Sequence, residues 1–215
     1  MQPRAPHVAA DVTILFVDIV GYTAFAEVAA PEEVVRRLNE FFELALPVVD
    51  AHGGHTNKLL GDGFLAVFGA PDELADHADR ALAAALEIED RREHELDGLA
   101  CGMGLNSGRV VAGAMGGGDR FEYAVVGDAV NVAARVEAQT RFTGDAILLT
   151  EATRSRLLTT QCDLEPRGPV LLKGRTREVE LFAVRAEGQV TVPAESTEYV
   201  RDPRVDWCAV PSGVV

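Results

Sequence analysis

The stretch Val12 to Val17 is an apolar run rich in β-branched residues, which predicts a central strand. Pro31 opens a helix with Glu32 and Glu33 in its first turn, as the helix dipole favours. Val34, Leu38, Phe41, Phe42, Ala45 and Val48 then fall on one face, until His52-Gly53-Gly54 ends the helix. Thr56 to Leu60 and Phe64 to Phe68 flank Gly61-Asp62-Gly63, the pattern of a hairpin. An apolar stripe of Ala78, Leu82, Ala85 and Leu86 predicts a helix from Leu74 to Arg92.

Ala100–Asn106 and Val110–Ala114 read as two short strands. Met115–Asp119 reads as a flexible connection and Phe121–Val126 as a strand. Ala129–Gln139 is expected to be helical and Ala146–Leu149 a strand. Thr150 should cap a helix running through Leu158. Val170–Leu172 and Val179–Val184 are expected as late strands. Helices interleaved with hairpins predict an α+β fold, a mostly antiparallel sheet with helices packed on one face. The division expected is a leader at 1–10, one catalytic domain at 11–186 and a tail at 187–215.

Of the 215 residues, 47% are apolar and 25% charged, ordinary for a globular domain. Net charge is −14. An acidic surface speaks against sequence-independent binding to nucleic acid or to an anionic membrane, which needs a basic patch. An anionic substrate would therefore be held by local cations. Cys101, Cys162 and Cys208 are scattered and odd in number, which suggests a reduced, cytoplasmic setting. No stretch approaches a membrane span.

Asp18 and Asp62 each follow an apolar run, in Ile14-Leu15-Phe16-Val17-Asp18-Ile19-Val20-Gly21-Tyr22-Thr23 and Asn57-Lys58-Leu59-Leu60-Gly61-Asp62-Gly63-Phe64. A carboxylate at the end of a buried strand is held rigidly, and Mg²⁺ prefers one or two such carboxylates with phosphates and water. A third segment is Tyr123-Ala124-Val125-Val126-Gly127-Asp128-Ala129-Val130-Asn131-Val132-Ala133-Ala134-Arg135. Together, from about Val12 to Val184, the three resemble the catalytic domain of class III nucleotidyl cyclases, which has a ferredoxin-like architecture.

The resemblance implies an adenylate cyclase, a phosphorus–oxygen lyase converting ATP to 3′,5′-cyclic AMP. Asp18 and Asp62, with the Ile19 carbonyl, match the positions that hold two ions of Mg²⁺ or Mn²⁺. Gly21, Tyr22 and Thr23 follow the first strand and lead into a helical stretch, a turn whose backbone N–H groups can cradle phosphates. Lys58 matches the purine reader: an ammonium only donates hydrogen bonds, and adenine N1 accepts one where guanine N1 carries a hydrogen. The position of its usual Asp, Thr or Ser partner is Ala124, which can accept nothing from the adenine amino group. Asn131 and Arg135, four apart on one helical face, match the residues that orient the ribose and stabilise the transition-state phosphate. Lys173, in Leu172-Lys173-Gly174-Arg175, resembles a lysine for the β- and γ-phosphates.

The same resemblance implies a homodimer with sites shared across its interface, while the acidic charge and the lack of a long apolar stretch lead us to expect no nucleic-acid partner and no direct membrane contact of this domain. The alternatives are a guanylyl or mixed-specificity cyclase and a turnover-deficient nucleotide-binding module. A diguanylate cyclase is conceivable by fold, but its Gly-Gly-Asp/Glu-Glu-Phe signature is absent. His52 and His55 read as a polar loop, since no third ligand has metal spacing.

Overall fold

The computed structural model describes residues 7–117, 120–159 and 162–185. Its chain order is β1 (Val8–Ile19), α1 (Tyr22–Val28), α2 (Pro31–Ala51), β2 (His55–Leu59), β3 (Gly63–Phe68), α3 (His77–Glu95), β4 (Cys101–Gly117), β5 (Arg120–Val126), α4 (Asp128–Thr143), β6 (Ile147–Thr150), α5 (Glu151–Arg154), β7 (Asp163–Val170) and β8 (Val179–Arg185). The strands form one sheet in the order β2-β3-β1-β4-β6-β8-β7, with β5 also paired to β4. Every described pairing is antiparallel except β4 with β6. This is the expected α+β fold.

The helices, however, cover both faces of the sheet. Leu15 and Val17 pack with Phe41 and Val48 of α2 and Leu82 and Ile88 of α3. Val12 and Ile14 point the other way and pack with Ala129 and Ala133 of α4. The expectation of helices on one face is corrected accordingly. The Val12–Val17 run is its cause: a strand buried on both sides has no polar face to display.

α4 lies very close to β4. A β-carbon at Gly104 would sit 2.2 Å from the Glu137 backbone nitrogen, and one at Gly108 3.2 Å from the Ala129 β-carbon. Glycine is required where backbone meets backbone at this range. α4 therefore runs antiparallel to β4, its first turn over Gly108 and its later turns over Gly104.

Several boundaries differ from the sequence reading. β1 begins at Val8, inside the stretch read as leader. β4 is one strand of 17 residues, not two. The polar residues that looked like a break are buried and bonded: Asn106 donates to the Ala129 carbonyl and accepts from Thr150, and Ser107 bonds Thr13 and Thr153. Met115 to Gly117 continue this strand; residues 118–119 of the expected connection lie outside the described residues.

Thr150 does cap α5 by accepting from the Thr153 N–H, but the helix stops at Arg154. The expected strand at Val170–Leu172 is instead β7, ending at Val170. β7 carries Pro166 and Pro169 and lies at the sheet's edge, where proline is tolerated. The stretch 187–215, expected as a tail, lies outside the described residues, as does Cys208.

Candidate functional site

Asp18 is the penultimate residue of β1 and the register partner of Gly63 in β3. Asp62 sits in the β2–β3 turn, closed by the Leu60 N–H donating to the Gly63 carbonyl (2.8 Å). The Ile19 N–H donates to the Asp62 carbonyl at 3.3 Å, tying the turn to the end of β1. Gly63 makes this closeness possible. A β-carbon there would stand 2.2 Å from the Val17 carbonyl oxygen and 2.8 Å from Asp18 Oδ1.

Burial first, and then the neighbouring Asp62 carboxylate, push the Asp18 carboxyl up from 3.8 to about 6, against the pull of Arg141. Two carboxylates forced together in a partly dry place favour a proton or a cation between them. Arg141 supplies the charge here. Its Nη2 is ion-paired with Asp18 Oδ2, and its Nη1 donates to Glu137 Oε1 at 2.6 Å. Burial also pushes the Glu137 carboxyl up from 4.5 to about 7.

β1 leads directly into Val20 and Gly21, where φ is +74°, and then into α1. The Val20 N–H donates to the Ala100 carbonyl at 2.8 Å, fixing the exit of the strand. A cavity of about 220 Å³ opens beside this turn, lined in part by Ile19, Gly21, Tyr22 and Arg37.

Lys58 is exposed on β2, next to a register shift between Thr56 and Lys58. Asn57 there donates to the Tyr123 carbonyl at 2.9 Å, and the His55 and Tyr123 rings meet edge to face at 5.5 Å. Ala124 follows on β5, paired with Gly113. Lys58 and Ala124 are thus carried on two strands that touch.

Asn131 is exposed and Arg135 half-buried on α4. The Arg135 guanidinium lies beside Gly174, 3.5 Å from where its β-carbon would be. Lys173 is exposed in the same turn, which the Arg175 N–H closes onto the Leu172 carbonyl at 3.0 Å. Arg175 ion-pairs with Asp128 and so anchors the turn to the start of α4.

Apart from Lys58 and Ala124 on β2 and β5 and the turn at residues 21–23 after β1, the sequence-predicted residues gather in two places along α4. Asp18, Ile19 and Asp62 lie by the C-terminal end of α4; Asn131, Arg135 and Lys173 lie by its N-terminal half. From Asn131 to Arg141 is about 15 Å along a helix rising 1.5 Å per residue. Arg135 and Arg141 are also about 120° apart around the axis at 3.6 residues per turn.

The family model for the adenylate and guanylate cyclase catalytic domain matches residues 5–186. The chain belongs to this nucleotidyl cyclase family. An uncharacterized protein of Mycobacterium tuberculosis is 37% identical over 190 residues, covering 88% of this chain and 33% of its own length. The chain thus spans about a third of that relative. The adenylyl cyclase CyaB from P. aeruginosa superposes with a TM-score of 0.76 at 24% identity, over 86% of this chain and 100% of that one; this is a likeness of fold. The guanylate cyclase domain of RhGC from Catenaria anguillulae, solved with GTP, gives 0.74 at 27% identity, over 83% and 98%. Adenylyl and guanylyl cyclases both appear among the structural neighbours.

Catalytic domains of this family use divalent metal ions, and this chain's own residues fit such an ion. Asp18 and Asp62 converge, and Asp18 already holds a cationic partner. Among the described residues no three His, Cys, Asp or Glu side chains form a metal-binding group. An ion here would draw its remaining ligands from substrate oxygens and water, the coordination Mg²⁺ prefers. His52 instead bonds Glu87 at 2.8 Å. Among the described residues no helix is long and apolar enough to cross a membrane.

Glu137 and Arg141 were not legible as site residues. The predicted helix stopped at Gln139, whereas α4 runs to Thr143 and is capped by Gly144 at φ +74°. Their spacing of four was the available signal. Their partner Asp18 lies 123 positions from Arg141.

Proposed function

We propose that this domain cyclises ATP to 3′,5′-cyclic AMP with release of pyrophosphate, as a homodimer. The observation that carries this reading is the convergence of Asp18 and Asp62 at the end of β1, where burial and then the crowded Asp62 charge raise Asp18 to about 6. Asp18, Asp62 and the Ile19 carbonyl would hold two ions of Mg²⁺ or Mn²⁺. Such ions make the ribose 3′-hydroxyl more acidic and neutralise charge on the attacking and leaving oxygens.

The remaining roles fall to the chain itself. The backbone N–H groups of Gly21, Tyr22 and Thr23 receive phosphate oxygens. Asn131 orients the ribose. Arg135 meets the α-phosphate with a planar fork suited to phosphate oxygens, and Lys173 holds the outer phosphates. Lys58 donates to adenine N1, while Ala124 offers the exocyclic amine nothing, so adenine selection rests on the lysine. A guanylyl or mixed-specificity cyclase is the second reading, favoured by Ala124.

The separation of the aspartates from Arg135 along α4 supports a site built from two chains. Asp18 and Asp62 of one chain serve a nucleotide whose ribose and phosphates are held by Asn131, Arg135 and Lys173 of its partner. Incubation with ATP or GTP in Mg²⁺ or Mn²⁺, followed by chromatography of the products, tests the proposal. Cyclic AMP formed in preference to cyclic GMP is expected. Nucleotide binding with no cyclic product would make the domain a binding module instead.

A further inference from the structure

Between α4 and β1 lies an ion-pair arrangement that the cyclisation scheme does not use. Arg141 is a two-pronged bridge: one guanidinium nitrogen on Asp18, the other on Glu137 at 2.6 Å. The Glu137 side chain is only 9% exposed, whereas Arg141 and Asp18 are 34% and 28% exposed. The inner prong is therefore the sheltered one and the outer prong reaches the open end of the site. Gly102, the register partner of Asp18, opens the slot for this reach. A β-carbon there would lie 2.4 Å from Thr140 Oγ1 and 3.0 Å from Glu137 Oε1.

We propose that Arg141 is the resident counter-cation of the metal site: it holds Asp18 while no divalent ion is bound, and yields that carboxylate to the ion while staying hinged on Glu137. Two carboxylates, Asp18 and Glu137, hold one guanidinium, and Asp62 lies beside Asp18. An arriving divalent ion meets a positive charge already on its first ligand, so the free domain binds metal weakly. Because Nη2 and Nη1 donate to two different carboxylates, one prong can release while the other stays. Arg141 thus acts as a positioning residue that sets metal affinity. This inference rests on the assignment of Asp18 and Asp62 as metal ligands.

Mn²⁺ titration without nucleotide, followed by electron paramagnetic resonance of the free ion, tests it at about pH 8, where carboxylates at this site are ionised. Loss of a partly exposed charge pair predicts that Arg141→Gln binds Mn²⁺ about 2- to 5-fold tighter than the unaltered protein. Arg141→Lys, which keeps the charge, should stay close to the unaltered value. Asp62→Asn placed in the Arg141→Gln protein should abolish the gain.

Unchanged or weaker binding by a folded Arg141→Gln protein would overturn the proposal, because a purely structural staple predicts that outcome. So would a gain that survives Asp62→Asn. If Arg141→Gln does not fold, Glu137→Gln decides: Arg141 then serves Asp18 alone, so Mn²⁺ should bind more weakly, and equal or tighter binding sinks the idea. The titration reads metal alone, so failure of cyclisation in the unaltered protein is a separate result.

Discussion

The Glu137 backbone nitrogen stands 2.2 Å from the point where a β-carbon of Gly104 would be. This contact sets how closely α4 lies on the sheet, and so where Asn131, Arg135 and Arg141 point. Backbone cannot give way as a flexible side chain can. Gly104→Ala is expected to lift α4 and cost about 1–3 kcal/mol, the usual range for overpacking. Thermal unfolding should show a lowered Tm, with cyclisation reduced further than stability alone explains. An unchanged Tm would mean that α4 is not seated as described.

Asp18→Asn and Asp62→Asn should each abolish cyclisation and leave the fold intact, since neither change opens a cavity in the core. Asp18 adds a pH signature. Its folded value of about 6 lies above the ordinary 3.8. Below about pH 4 the carboxyl is protonated in both states and costs nothing; as pH rises through about 6 its ionisation costs stability, and the loss is complete above that. Metal-free Asp18→Asn protein should therefore equal the unaltered protein in Tm at acid pH and exceed it at pH 8. The opposite sign would show that Arg141 outweighs burial at Asp18.

Metal and proton compete for the same carboxylate. At limiting Mg²⁺ or Mn²⁺, activity should fall as pH drops through about 6, the value to which burial and Asp62 push Asp18. Raising the metal concentration should move that limb to lower pH. A limb that ignores metal concentration would assign the titration to a group other than the ligands.

Lys58→Glu should weaken ATP use more than GTP use. A carboxylate accepts from guanine N1–H and its 2-amino group, which an ammonium cannot do. With Ala124 giving no help at the second position, a partial switch is expected. Competition assays with both nucleotides would read the ratio of kcat/KM values, and an unchanged ratio would remove Lys58 from base recognition.

Local patterns were legible and distant partnerships were not. The Asp18 strand, the Asp62 hairpin and α2 could be read because apolar period, proline and glycine act within a few residues. β4 was read as two strands because Asn106-Ser107-Gly108 looks like a turn. In the structure those side chains are buried and bonded to Thr13, Thr150 and Thr153, from segments far away in sequence. β7 was missed because Pro166 and Pro169 argue against a strand unless its edge position is known. The aspartates were visible from their flanking motifs. Arg141, which holds one of them, was visible only once α4 was laid antiparallel along β4.

Two variants that are each inactive should regain activity when mixed, if the site is shared. Within one chain Asp18 and Arg135 belong to separate clusters: Asp18 beside Arg141 at the end of α4, Arg135 beside Gly174. In a two-fold dimer of Asp18→Ala with Arg135→Ala, one site carries both lesions and the other is built wholly from intact residues. With random pairing half of the dimers are mixed, and each has one good site of two, so about a quarter of the unaltered activity is the ceiling set by the symmetry. Specific activity should also rise with protein concentration where dimerisation is weak. Subunit exchange can be followed independently by mass spectrometry of differently tagged chains. Exchange without recovered activity would place each whole site within one chain, and the separation of the two clusters along α4 would then need closing by a movement of α4 itself.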